Sequence, residues 1–226
     1  MNRATKLIVT TLGILGGIGG IDHGFFETLH GSVPTGGLFV QSIGPASRMW
    51  VYGTEDAFTL VPNFLVTGLL AITLSLALIV WSIRFVDRKN GPIVLTALFV
   101  LLFLSGGGVA QVLFFAIVCA ATTRIHAPLS WWRRVLPAGL RQAIGGGWPV
   151  ALTAGVLLFL AALEIAIAGW VPGLSDPWQK ELICWASLAA ALIAFLIAFV
   201  SGFAADIQAS QPIAPEPPAI QRSPAA

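Results

Sequence analysis

Four stretches of this chain, about 7–29, 62–84, 148–170 and 182–203, are long apolar runs with few or no charges. A helix that crosses a bilayer needs ~20 predominantly apolar residues, because hydrocarbon offers its backbone no other hydrogen-bond partner. Composition agrees: 57% of the residues are hydrophobic and 10% charged, against roughly 25% charged in soluble domains. The chain therefore reads as an all-α, polytopic transmembrane bundle, a single domain over 1–207. Pro62 and Pro149 suit first helical turns, where a missing N–H costs nothing. Trp50, Trp148, Trp170, Trp178 and Trp185 fall near the expected boundaries, as an aromatic belt does.

Arg3 and Lys6 precede the first apolar run like the start of a secretory signal. That run leads into Asp22-His23-Gly24 rather than a small-residue cleavage site, so a retained first helix is expected. Cys119 and Cys184 stand alone in apolar runs, without CxxC spacing, and read as small buried hydrophobes.

The stretch 93–123 is unlike the others. As one helix it would measure ~46 Å and need a tilt near ~50° to fit the hydrocarbon, outside the usual 0–40°. Gly106-Gly107-Gly108 in its middle invites a turn, giving a hairpin of two short membrane helices, 93–105 and 109–123. Charge decides in the same direction. With a hairpin, Arg3, Lys6, Arg84, Arg88, Lys89, Arg124, Arg133, Arg134, Arg141 and Arg222 share the inner side, against Arg48 and Lys180 outside. A single crossing would divide the same twelve residues evenly. The positive-inside rule selects the hairpin, with both termini cytoplasmic. Its non-helical backbone must then be covered by protein.

Against this apolar background the ionisable residues of the first helix stand out. On a helical wheel Glu27 lies ~40° and His30 ~20° from His23, so all three share one face. Ionisable groups in a spanning segment are costly, and each marks a functional-site candidate with a partner to be found. Gly16, Gly20 and Gly24, at i, i+4 and i+8, allow close helix approach, and Gly16 and Gly20 lie about 20° and 60° from His23, so the polar stripe points into the bundle. Glu164 and His23 lie at a common depth, each ~24 Å along its own helix, which makes Glu164 the expected partner of His23 or His30. Asp22, Asn63 and Gln111 complete a polar pocket in the outer half of the membrane, under a long loop, 31–57, that is expected to fold over it as a cap.

No cofactor is called for by a motif. The i, i+4 and i, i+3 spacings of His23, Glu27 and His30 leave a shared metal ion or a haem as an alternative, although the outer two are ~10.5 Å apart along the axis. There is no GxxxxGK[ST], no GxSxG and no strand-anchored GxGxxG, which disfavours ATP hydrolysis and serine-hydrolase chemistry. An enzyme is the less favoured reading, and no basic tract points to nucleic acid.

The segment 124–147 reads as interfacial, with Ser130 capping a short helix, Trp131 and Trp132 at the acyl boundary, and Arg133, Arg134 and Arg141 meeting lipid phosphates. The Pro-rich tail, 208–226, is expected to be disordered and cytoplasmic.

GIDHGFFETLHG (20–31), EDAFTLVPNFLVTGLLAI (55–72), DRKNG (87–91), GGG (106–108) and TRIHAPLSWWRRVL (123–136) together resemble a family of small prokaryotic integral membrane proteins with no assigned activity. The resemblance covers the first three helical regions and the arginine-rich segment, and it implies a prokaryotic cytoplasmic membrane. Three functions remain: handling a small solute, proton or cation through the polar pocket; a metal- or haem-binding redox or enzyme subunit; and a non-catalytic accessory subunit. The lipid bilayer is the expected partner throughout, and a homo-oligomer or larger membrane complex stays open.

Overall fold

The apolar runs become helices whose ends differ from the sequence expectation by a few residues, and the glycine-rich break becomes a strand. The computed structural model describes residues 1–210. In chain order it contains α1 (Arg3–Leu29), β1 (Phe39–Gln41), β2 (Asp56–Thr59), α2 (Phe64–Arg84), α3 (Gly91–Leu104), β3 (Ser105–Gly108) and α4 (Val112–Thr122). Two short helices, α5 (Ser130–Val135) and α6 (Ala138–Ile144), precede α7 (Trp148–Ala168) and α8 (Pro177–Ala209). α1, α2, α7 and α8 are long and apolar enough to cross a membrane.

Glycine decides how α1 packs. A Cβ on Gly24 would lie 2.6 Å from the carbonyl oxygen of Gly68, so the two backbones touch with no side chain between them. Further along, Gly20 faces the hydroxyl of Ser75, Gly17 faces Ile79 and Gly13 faces Ser82. α2 is thus fitted along most of α1, as small residues permit where lipid supplies no hydrophobic drive. α8 meets α1 closely toward its own end, where Gly202 receives Ile8. Ile8, Leu12, Leu78, Leu95, Phe99 and Phe195 form one buried cluster across these elements.

Asp206 of α8 fastens the start of α1. It accepts from the backbone N–H of Ala4 (3.0 Å) and Thr5 (2.9 Å) and from the Thr5 hydroxyl (2.7 Å). The first N–H groups of a helix lack intrahelical partners, and a carboxylate is favoured at that positive end. Nearby, Lys6 pairs with Asp87 (2.7 Å), His126 donates to the Asp87 carbonyl (2.7 Å), and Asn2 donates to the Arg124 carbonyl (2.6 Å). The start of α1, the α2–α3 link, the segment after α4 and the end of α8 therefore meet at one end of the molecule.

The opposite end carries the departure from an all-α chain. β1, β2 and β3 form an antiparallel sheet in that order, with Val40 opposite Ala57 and Ala57 opposite Gly108. All four residues of β3 are buried. Non-helical backbone in apolar surroundings needs partners from elsewhere, and the 31–63 connection supplies them through β2. The expected cover is a strand addition, not a loose lid. Trp50 pins the same connection to α7, its indole N–H donating to the Ala166 carbonyl (3.0 Å) while the ring lies on Gly169.

Several local expectations are corrected. Pro62 precedes α2, whose N-cap is Asn63. Ser130 is the first residue of α5 and makes no capping bond. Trp132 turns inward onto Phe203, with ring centroids 4.9 Å apart, leaving Trp131 exposed beside it. Arg141 is buried, and its guanidinium bonds the carbonyls of Arg133 and Leu136 rather than facing lipid phosphate. α8 continues through Gln208 and Ala209, where the tail was expected to start. The remaining expectation of a disordered tail, 211–226, lies outside the described residues.

Candidate functional site

The sheet is laid across the polar stripe of α1. His23 and Glu27, one helical turn apart, are both buried, Glu27 completely. Each meets a glycine of β3: a Cβ on Gly108 would strike the His23 ring, and one on Gly106 would strike the Glu27 carboxylate. Gly106 has φ +99°, a conformation that side-chain-bearing residues rarely adopt. Gly44 stands in the same relation to His30, whose ring atom Cε1 would lie 2.6 Å from an added Cβ. Three ionisable side chains thus occupy space left by three absent side chains.

Ser42, just after β1, sits between the two buried residues. Its hydroxyl is 3.0 Å from Nδ1 of His23 and 3.2 Å from Oε1 of Glu27. Nε2 of His23 is 3.2 Å from Oε2 of Glu55. The result is a continuous chain, Glu55–His23–Ser42–Glu27, linking two carboxyl groups through an imidazole and a hydroxyl.

Glu55 stands just before β2 at φ +44°, the left-handed region that is uncommon for a residue with a side chain. Conformations of this kind persist only where the surroundings hold them, and they gather at functional sites. Burial opposes ionisation of Glu55, but the hydrogen bond to His23 and the charge of that ring outweigh it and hold the carboxyl below the usual range.

The proton inventory of the chain follows from its hydrogen bonds. If Ser42 donates to Glu27, then Nδ1 of His23 must donate to Ser42, and the Glu55–Nε2 link must hold one further proton. If Ser42 instead donates to Nδ1, Nε2 donates to Glu55 and Glu27 must carry the proton. The two arrangements have the same net charge; with Glu55 ionised in both, they differ in whether the extra proton sits on the His23 ring or on Glu27. Moving between them shifts two protons by one hydrogen bond each, Nδ1 to Oγ of Ser42 and Oγ to Oε1 of Glu27, while Nε2 keeps its proton against Glu55.

The other expected members take different places. His30 directs Nε2 to the Ser42 carbonyl (2.9 Å) and stacks on Phe64, with centroids 4.0 Å apart, which braces the cap. Among the described residues no group of three or more His, Cys, Asp or Glu side chains is arranged to hold a metal ion. Asn63 accepts from the Val66 N–H and donates to Ser32, the work of a helix cap. Gln111 is buried against Gly19, away from the chain. Asp22 is half-buried beside His23, and its Oδ2 has no hydrogen-bond partner among the described residues.

Glu164 is not the partner of a histidine. It is exposed on α7, while His23 uses both ring nitrogens on Ser42 and Glu55. Sequence reasoning missed Glu55 and Ser42. The available signal was the cap itself: a loop expected over the outer end holds just three charged residues, Arg48, Glu55 and Asp56, between 31 and 57.

No family model matches the chain, and neither a curated protein nor a solved structure matches it.

Proposed function

We propose that this is an integral protein of a prokaryotic cytoplasmic membrane that transfers protons along Glu55–His23–Ser42–Glu27. The observation that carries the reading is the unbroken hydrogen-bonded sequence of four side chains, two of them carboxyl groups, at the end of a membrane-length helix. A proton fits this arrangement better than a larger solute, because the β3 backbone lies so close over Glu27 and His23 that even a Cβ at Gly106 or Gly108 would strike them. The histidine supplies a ring with two nitrogens, one able to accept a proton while the other releases one. Hydrogen-bonded Asp, Glu and His chains within membrane proteins recur as proton relays, which is support by analogy.

In this reading α3 and α4 form a re-entrant hairpin. At 14 and 11 residues they span ~21 and ~16 Å, too short to cross ~30 Å of hydrocarbon separately. The α2–α3 link and the segment after α4 meet at one end, as a hairpin requires. That end collects most of the basic residues and faces the cytoplasm, and the sheet caps the outer side.

The test is proton flux in proteoliposomes under an imposed membrane potential, comparing the protein with Ser42→Ala. That substitution removes only the central hydroxyl and keeps every charge. Flux that depends on Ser42 supports the relay. Equal flux from both proteins refutes it. Absence of flux from the unaltered protein favours an accessory subunit whose polar chain locks the cap onto α1.

A further inference from the structure

A second polar feature lies at the other end of the molecule, far from the relay. Between α5 and the last turn of α8 there is a cleft of about 450 Å³ lined by Asn2, Ser130, Arg133, Arg134, Ile207 and Ser210 among others. Its volume falls in the range of ligand pockets, roughly 300–1,000 Å³. Arg133 and Arg134 are exposed, and neither is in an ion pair among the described residues.

The one carboxylate in the lining, Asp206, has both oxygens engaged by the start of α1 and does not answer the arginines. Arg133 is steadied by one bond to Ser210 (3.1 Å), which leaves most of its N–H groups available. Guanidinium groups recognise phosphate through paired donors. The Ser130 hydroxyl adds a further donor at the rim, while Leu129 and Ile207 supply apolar wall.

Position selects the source of the phosphate. The cleft lies among the converging ends of α1, α4 and α8, and Trp131, on the same turn as the arginines, is 56% exposed. An exposed indole beside a basic cleft at a helix end suits the level of lipid headgroups. We infer that this cleft binds the headgroup of an anionic phospholipid, with Arg133 and Arg134 on its phosphate and Leu129 and Ile207 against the glycerol and first acyl carbons. The interfacial expectation is thereby narrowed to two arginines and a defined cavity, without Arg141.

The experiment is native mass spectrometry of the full chain released from detergent, titrated with phosphatidylglycerol or phosphatidylcholine of identical acyl chains. Roughly tenfold preference for the anionic lipid is expected, the scale of one to two basic residues against an anionic headgroup. Arg133→Gln with Arg134→Gln should reduce it to near parity. Arg133→Lys with Arg134→Lys keeps both charges, should retain most of the preference, and guards against a loss caused by misfolding. Arg88→Gln, a basic residue of the same end outside the cleft, should leave it unchanged. Preference that survives the double glutamine variant, or that falls equally in Arg88→Gln, would overturn the site. Displacement of the lipid by millimolar inorganic phosphate would overturn the lipid assignment in favour of a free phosphate ligand.

Discussion

Replacing Gly24 with alanine places a methyl group against a neighbour that cannot move aside. The added Cβ would lie 2.6 Å from the carbonyl oxygen of Gly68 and 3.0 Å from the backbone nitrogen of Ile72, whereas ordinary contacts sit at ~3.5–4.0 Å. Relief requires α1 and α2 to separate by about 1 Å at their crossing. Overpacking of this kind costs ~1–3 kcal/mol, and the backbone character of the obstacle puts Gly24→Ala in the upper half of that range. For a chain of this size 1 kcal/mol corresponds to roughly 2–4 °C in Tm, so a fall of about 4–12 °C is expected.

Gly13→Ala is the internal control. Its obstacle is the Ser82 side chain, and Gly13→Ala combined with Ser82→Gly should recover at least about half of the loss, since a removed side chain ends the overlap at a helix-propensity cost of only ~0.5 kcal/mol. Thermal unfolding followed by circular dichroism in lipid–detergent micelles reads all three proteins. Unchanged stability of Gly24→Ala, or failure of the Ser82 substitution to rescue Gly13→Ala, would refute the view that this crossing is set by backbone contact.

Asp206→Ala removes three bonds from the start of α1 and should cost ~1–3 kcal/mol in the same assay, with Asp206→Asn intermediate; an unaffected Tm would show the clamp to be idle. The cap should also respond to acid. Glu55 has a folded pKa below its ordinary value, so its contribution is present above about pH 4.3 and is lost as pH falls through the lower folded value. Hydrogen exchange in 38–59 should therefore accelerate on acidification below that range, and Glu55→Gln should abolish the dependence; acceleration that persists in Glu55→Gln would assign it to another group.

The elements that were legible in the sequence are those governed by local periodicity and solvent. The run 148–170 became α7 with its proline in the first turn, because apolar length and a helix-start signal act within the segment. The glycine break in 93–123 was legible because an unbroken helix fails on length. Its conversion into β3 was not, since SGGG carries no strand propensity and only the requirement to pair its backbone makes it one. His23 and Glu27 announced themselves by the cost of their ionisable groups in an apolar helix. Their partners did not. Glu164 matched His23 in depth, but depth along an axis carries no information on azimuth, and α7 turns that residue outward. Glu55 reaches His23 through a left-handed backbone residue at the edge of a long-range sheet, a relation no local pattern contains.

The central claim is that Glu55, His23, Ser42 and Glu27 share protons as one unit. Magic-angle-spinning NMR of the protein in lipid, with ¹⁵N-labelled histidine and ¹³C-labelled glutamate carboxyls, observes both ends and the middle of that chain across a pH titration. The account predicts that the His23 ring nitrogens and the Glu27 carboxyl change at a common midpoint while Glu55 stays ionised, and that Ser42→Ala separates Glu27 from His23. Independent midpoints in the unaltered protein, or an unchanged titration in Ser42→Ala, would contradict it.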